Sequence, residues 1–146
     1  MAILDTQLRF SSNQAVSGTG ATVISTDHYD TGAAASIGEG EDLELQVDVG
    51  TTAFSGGTSV QVALQHAANA AFDSNLVTIP LTPAIPVANA TARANLFRGR
   101  LPFGLQRFIR LAYITVGAVT AGSANAFIAK DIEAGRPAPT TVPGVK

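Results

Sequence analysis

The sequence has no cysteine and no tryptophan. Without cysteine there is no disulfide, no thiolate zinc site and no cysteine nucleophile, so burial and hydrogen bonding must hold the fold. Charge is scarce as well. Only 14% of residues are charged, against about 25% in an average soluble domain. Ala, Gly, Ser, Thr and Asn must then cover much of the surface, which suits a protein that lies against other proteins or a small-residue β-protein. No apolar run approaches the roughly 18 residues of a membrane span, so no membrane partner is expected. The first ten residues hold Asp5 and Arg9 and no apolar leader, which points to synthesis and assembly in a cytosol. The sequon Asn89-Ala90-Thr91 is then a coincidence of sequence.

Positive charge is missing from one long stretch. No Lys or Arg occurs from Phe10 to Ala92, where Asp27, Asp30, Glu39, Glu41, Asp42, Glu44, Asp48 and Asp73 fall. Arg93, Arg98, Arg100, Arg107 and Arg110 then follow closely. One reading is that antiparallel strands from the two regions pair and set opposite charges across from each other. The other is that an acidic and a basic face meet different neighbours in an assembly. The net charge of −2 argues against a nucleic-acid partner.

What the chain does have is alternation with period two. Leu43, Leu45, Val47 and Val49 alternate with Glu44, Gln46 and Asp48. Val60, Val62 and Leu64 alternate with Gln61, Ala63 and Gln65. Ile109, Leu111 and Tyr113 alternate with Arg110 and Ala112, while Phe108, Ile114 and Val116 are apolar too, so that strand is covered on both faces or carries a bulge. Weaker strands are expected over Leu8 to Ser11, Ala21 to Ser25, Leu76 to Leu81, Asn95 to Leu101 and Ala124 to Lys130. Glycine- and proline-bearing turns separate them, and Ala67 to Phe72 is long enough only for a short helical turn. Phe72 itself is expected to plug the open end of the sandwich. The fold class is therefore all-β, an antiparallel sandwich of about eight strands. It occupies residues 1–133, with a short N-terminal arm. Residues 134–146 carry Pro137, Pro139 and Pro143 and form an extended C-terminal tail or a binding arm.

The usual signatures of catalysis fail. No Gly-Lys-Ser or Gly-Lys-Thr closes a phosphate loop, and the pairs Gly18/Gly20 and Gly38/Gly40 lack the third glycine and the helix of a dinucleotide site. No Gly-x-Ser-x-Gly elbow occurs. Asp42, Glu44 and Asp48 share one strand face, as solvated residues do. His28 and His66 are the only histidines. With Asp27 and Asp30 they would suggest a cupin-like metal enzyme, but such sites need three ligands at recognisable spacing. His66 falls on the apolar register of its strand and is expected to be a hydrogen-bonded interior or strand-end residue. No enzyme activity, cofactor or metal is expected.

The segment Leu101-Pro102-Phe103-Gly104-Leu105-Gln106-Arg107-Phe108-Ile109-Arg110-Leu111-Ala112-Tyr113 resembles a segment of the capsid cement (decoration) proteins of podovirus-type tailed phages, the family typified by the Bordetella phage cement protein. There a Leu-Pro-x-Gly turn leads into an Arg-aromatic-aliphatic-Arg-Leu-x-Tyr strand. Ile3-Leu4-Asp5-Thr6 with Phe10-Ser11, Glu41 to Val47, Val62 to Gln65 with Ala71-Phe72, and Ala84 to Val87 are similar to the family in the same order, over roughly residues 1–130. The resemblance implies a jelly-roll-like sandwich that forms a homodimer. It further implies binding to the outer capsid surface of a virion made in a bacterial cytoplasm, and bridging of neighbouring major capsid proteins of the HK97-type fold. The family has no catalytic motif to transfer. Arg98, Arg100, Arg107 and Arg110 are expected to form the polar contact surface, or else to pair across strands, and Pro137, Pro139 and Pro143 lie in the arm. An alternative of another class is a receptor- or glycan-binding β-module of a phage tail or spike, which would show exposed aromatics around a pocket.

Overall fold

The computed structural model describes residues 6–32 and 43–130. Glu39, Glu41, Asp42, the N-terminal Ile3-Leu4-Asp5 and the tail with Pro137, Pro139 and Pro143 lie outside them. The described chain is all-β and antiparallel. In order the strands are β1 (Arg9–Ala15), β2 (Gly18–Thr19), β3 (Thr22–Ile24), β4 (Tyr29–Asp30), β5 (Leu43–Val49) and β6 (Ser55–Gly56). They continue with β7 (Ser59–Ala67), β8 (Val77–Pro80), β9 (Ile85–Pro86), β10 (Asn95–Arg100), β11 (Phe108–Val116), β12 (Ala118–Ala121) and β13 (Ser123–Lys130).

Two sheets carry the sandwich. One has the order β1-β13-β5-β10, and the other β3-β11-β7-β8. In the second, β4 extends the β3 edge along β11, and β9 extends the β8 edge along β7. Counted as eight strand positions along the chain, the sheets run 1-8-3-6 and 2-7-4-5. The adjacent pairs 1·8, 2·7, 3·6 and 4·5 are those of one long hairpin rolled up, with alternate pairs going to alternate sheets.

The apolar residues of each alternation face between the sheets. Phe10, Leu45, Val47, Val49, Leu96 and Ile128 come from one sheet, and Val62, Leu64, Ile109, Leu111 and Tyr113 from the other; all belong to a single buried cluster. Each such side chain contributes about 1.5–3 kcal/mol by leaving water. The Tyr113 hydroxyl donates to Ser11 Oγ at 2.8 Å and ties β11 to β1 across the core. The β11–β7 ladder runs unbroken from Phe108↔Ala67 to Val116↔Ser59. There is no bulge in it; Val116 at its end is half-exposed, and the outer face is covered only in the middle of the ladder. Ala63 and Ala112 oppose each other there and are fully buried.

A third small sheet, β2-β12-β6, caps one end. Beside it β1 bulges between Ser11 and Gln14. Asn13 takes a left-handed conformation there (φ 46°), which Asn tolerates better than most residues. Its Oδ1 accepts from Thr51 N at 2.8 Å and from Ser123 Oγ at 2.9 Å. Gly50 is required at this knot, because a Cβ would intrude on Asn13 Oδ1 and Ser123 Oγ. The opposite end carries the loops. Arg9, Leu43, Arg100 and Lys130 end their strands there in one sheet, and Asp30, Ala67, Val77 and Phe108 in the other. Residues 101–107 connect the two sheets at this end.

Candidate functional site

The four arginines divide between the two sheets. Arg98 and Arg100 stand on β10 opposite Gln46 and Glu44, on the outer side of their sheet, because Gly99 between them pairs with the core residue Leu45. Arg98 reaches diagonally to Glu44, with Nη2 and Nε at 2.9 and 3.0 Å from Oε2. Arg107, at the end of the 101–107 loop, grips Asp30 through Nε–Oδ1 at 2.7 Å and Nη2–Oδ2 at 2.9 Å. The Arg107 guanidinium, helped by the Gly32 N–H, lowers the Asp30 pKa to about 2. Two pairs between the acidic and basic stretches are thus internal to the chain.

Arg110 is different. It stands on the outer face of β11 opposite Gln65 and donates through Nε to Gln65 Oε1 at 2.8 Å. Gln65 in turn donates to Thr78 Oγ1 at 3.2 Å, so a polar relay crosses β11, β7 and β8. The guanidinium lies 4.1 Å from the centre of the Phe72 ring, within cation–π range. Partial burial disfavours its charged form and pulls its pKa below the usual arginine value. Among the described residues Arg110 has no acidic ion-pair partner.

Phe72 corrects an expectation. It does not plug the sandwich, since it is absent from the core cluster although only 5% exposed. It packs instead on the outer face of the six-stranded sheet, under Arg110 and against the edge of His28, with ring centres 5.8 Å apart. His28 also meets Phe108 at 6.1 Å, and Arg107 lies over the Phe108 ring at 4.9 Å. The physical cause is the loop's own bonding. Phe72 takes a left-handed conformation (φ 57°) in a turn closed by Phe72 N→Asn69 O and braced by Ala68 N→Ser74 O. That turn folds the ring back over the sheet. The segment Ala67 to Phe72 makes this turn at the end of β7 and adds no helix. Sequence reasoning also missed the exposed apolar residues of this end: Phe103 at 75%, Leu76 at 43% and Val77 at 44%. Gln106 bonds Asn75 O at 2.6 Å and so joins the loop bearing Phe103 to the segment bearing Leu76.

The two histidines do not converge. His66 pairs with Ile109 on the core side, is 6% exposed, and accepts from Gln106 N at 3.2 Å through Nδ1. It is an interior strand-end histidine, and burial lowers its pKa. His28 is exposed on the other side of the sheet. Among the described residues no three His, Asp or Glu side chains gather as a metal site. An open groove of about 370 Å³ at the capped end is lined by Asn13, Ser17, Thr52, Thr120 and Ser123 with small apolar neighbours. It offers hydroxyls and amides and no titratable side chain.

The surface best equipped for recognition is therefore the loop end, with Arg110, Phe72, His28 and Phe108 on one outer face and Phe103 and Leu76 beside them. No curated protein matches the sequence. A sequence model of the Bbp16 family, named for a Bordetella phage protein, matches residues 10–128. That span runs from the first buried aromatic of β1 to the last large core residue of β13, so it takes in the whole sandwich, and the chain belongs to the Bbp16 family of phage structural proteins.

Proposed function

We propose that the protein is a capsid cement protein: it binds the outer surface of a phage head and bridges neighbouring major capsid proteins of the HK97-type fold. The observation that carries this reading is the family match over the whole sandwich. The rolled-hairpin order of the sheets supports a jelly roll. Both outer edges of the six-stranded sheet are cut into short pieces, and Pro80 and Pro86 sit in the one formed by β8 and β9. Such edges resist unwanted strand addition, which suits a module displayed at high density on a particle. The contact surface we assign comprises Arg98 and Arg100 on one outer face, Arg110 on the other, and Arg107 in the loop that leads into β11. Two separated faces suit a bridge. A homodimer doubles each contact, so modest affinities multiply through effective concentration.

The reading is tested on heads assembled without the protein. Added protein raises the temperature at which they release DNA, and Phe103→Ser reduces that shift while leaving the melting of the free protein nearly unchanged. Heads that gain no stability from saturating protein would contradict the reading.

A further inference from the structure

We infer that Arg110, stacked on Phe72 and held by Gln65, is the anchor for an Asp or Glu carboxylate of the capsid protein. This inference rests on the cement reading and names the chemistry of its contact.

The observations that single out Arg110 are electrostatic and geometric. Arg98 has Glu44, and Arg107 has the two oxygens of Asp30. Arg110 is partly buried and has no acidic partner among the described residues. A cation withdrawn from water without a counter-charge is costly, and that cost is recovered when an anion arrives. Its Nε is committed to Gln65, which leaves the terminal nitrogens to donate outward. The Phe72 face beneath and the Gln65–Thr78 relay beside it fix the guanidinium plane before binding. Pre-positioning lowers the entropy lost on contact, and arginine held on an aromatic is a frequent hot-spot anchor. The surroundings fit the same partner. Leu76 and Phe103 are exposed at this end. Of the carboxylates at this end, Asp30 is held by Arg107 and Asp73 accepts from the Asn69 side-chain amide. The occupant is thus an acidic side chain flanked by apolar ones.

The test is pelleting of the full chain with capsids of its own phage over a salt series, with Arg110→Gln, Arg110→Lys and Arg93→Gln beside the parent protein. Arg93 is exposed at the far, capped end, where its N–H meets Gly50 O at 3.1 Å, and its replacement controls for loss of one positive charge. The expected result is that Arg110→Gln binds about tenfold or more weakly at low salt and with a flatter salt dependence. Arg110→Lys keeps the charge but loses the planar stack, and falls between. Arg93→Gln stays within about twofold, as rim charges do. If Arg110→Gln folds poorly, the comparison of Arg110→Lys with the parent carries the test, and equal binding there overturns the inference. Equal binding by Arg110→Gln and the parent, or equal weakening by Arg93→Gln, also overturns it. A parent protein that does not pellet with capsids overturns the cement reading itself, which is a distinct outcome, and the inference falls with it.

Discussion

Removal of the Tyr113 hydroxyl and of its acceptor should have unequal costs. The Tyr113 side chain is wholly buried and its hydroxyl donates to Ser11 Oγ. Ser11 donates its own proton to Gln14 Oε1 at 2.8 Å. Tyr113→Phe therefore strands no donor: Ser11 loses one accepted bond and keeps the one it gives. The expected cost is about 1 kcal/mol. Ser11→Ala leaves the phenolic hydroxyl buried with no acceptor, and the expected cost is about 2–3 kcal/mol. Gln14 Oε1 keeps the Thr26 N–H at 2.8 Å, so little is added there. In the double variant the stranded hydroxyl is gone. It should then be more stable than Ser11→Ala alone, a coupling of about 1 kcal/mol or more. Urea unfolding with an unchanged slope measures all four proteins. Alkaline pH gives a second reading of the same group. Burial pushes the Tyr113 pKa up to about 12 from 10.0. The folded state keeps the proton over a range in which the unfolded chain has lost it, so stability is full below pH 10 and falls as pH rises toward 12. The loss amounts to about 2–3 kcal/mol at this buried site, and Tyr113→Phe should lack it. Additive effects in the cycle, or a Tyr113→Phe protein with the parent's alkaline decline, would refute this account of the sheet-to-sheet tie.

Two further outcomes follow from the same geometry. Gly50→Ala should lower stability by about 1–3 kcal/mol, because its Cβ would press on the Asn13 and Ser123 oxygens. Urea unfolding checks this, and a near-neutral effect would mean that the β1 bulge yields easily. His66 is held neutral by burial, so its folded pKa lies below the ordinary 6.5. The unfolded chain takes up the proton first as pH falls, and stability should decline below about pH 6.5. His66→Gln should flatten this acid limb, seen by unfolding from pH 7.5 down to pH 5.

The long strands were legible because their alternation is long enough to read. Leu43 to Val49 forms β5 over the expected residues, and the ladder partners β7 and β11 follow the patterns at Val60 and Ile109. The third sheet was not legible, because β2, β6 and β12 have two to four residues each and are set by neighbouring backbone, as where Gly57 leaves room for Val119. Pairing of the acidic and basic halves was readable as a possibility from charge spacing, and Arg98–Glu44 and Arg107–Asp30 realise it. The place of Phe72 was not readable. Nothing in Ala67 to Phe72 announces that Asn69 closes a turn which throws the ring onto the outer face. That Arg110 has no acidic partner among the described residues was hidden for the same reason, since it depends on which acidic side chains the register brings near each guanidinium.

The most direct measurement is co-sedimentation of the purified protein with mature heads of its own phage that lack it. The account predicts saturable binding at a fixed number of copies per capsid subunit, weakened by salt and by Arg110→Gln. Protein left in the supernatant at concentrations well above micromolar would contradict it.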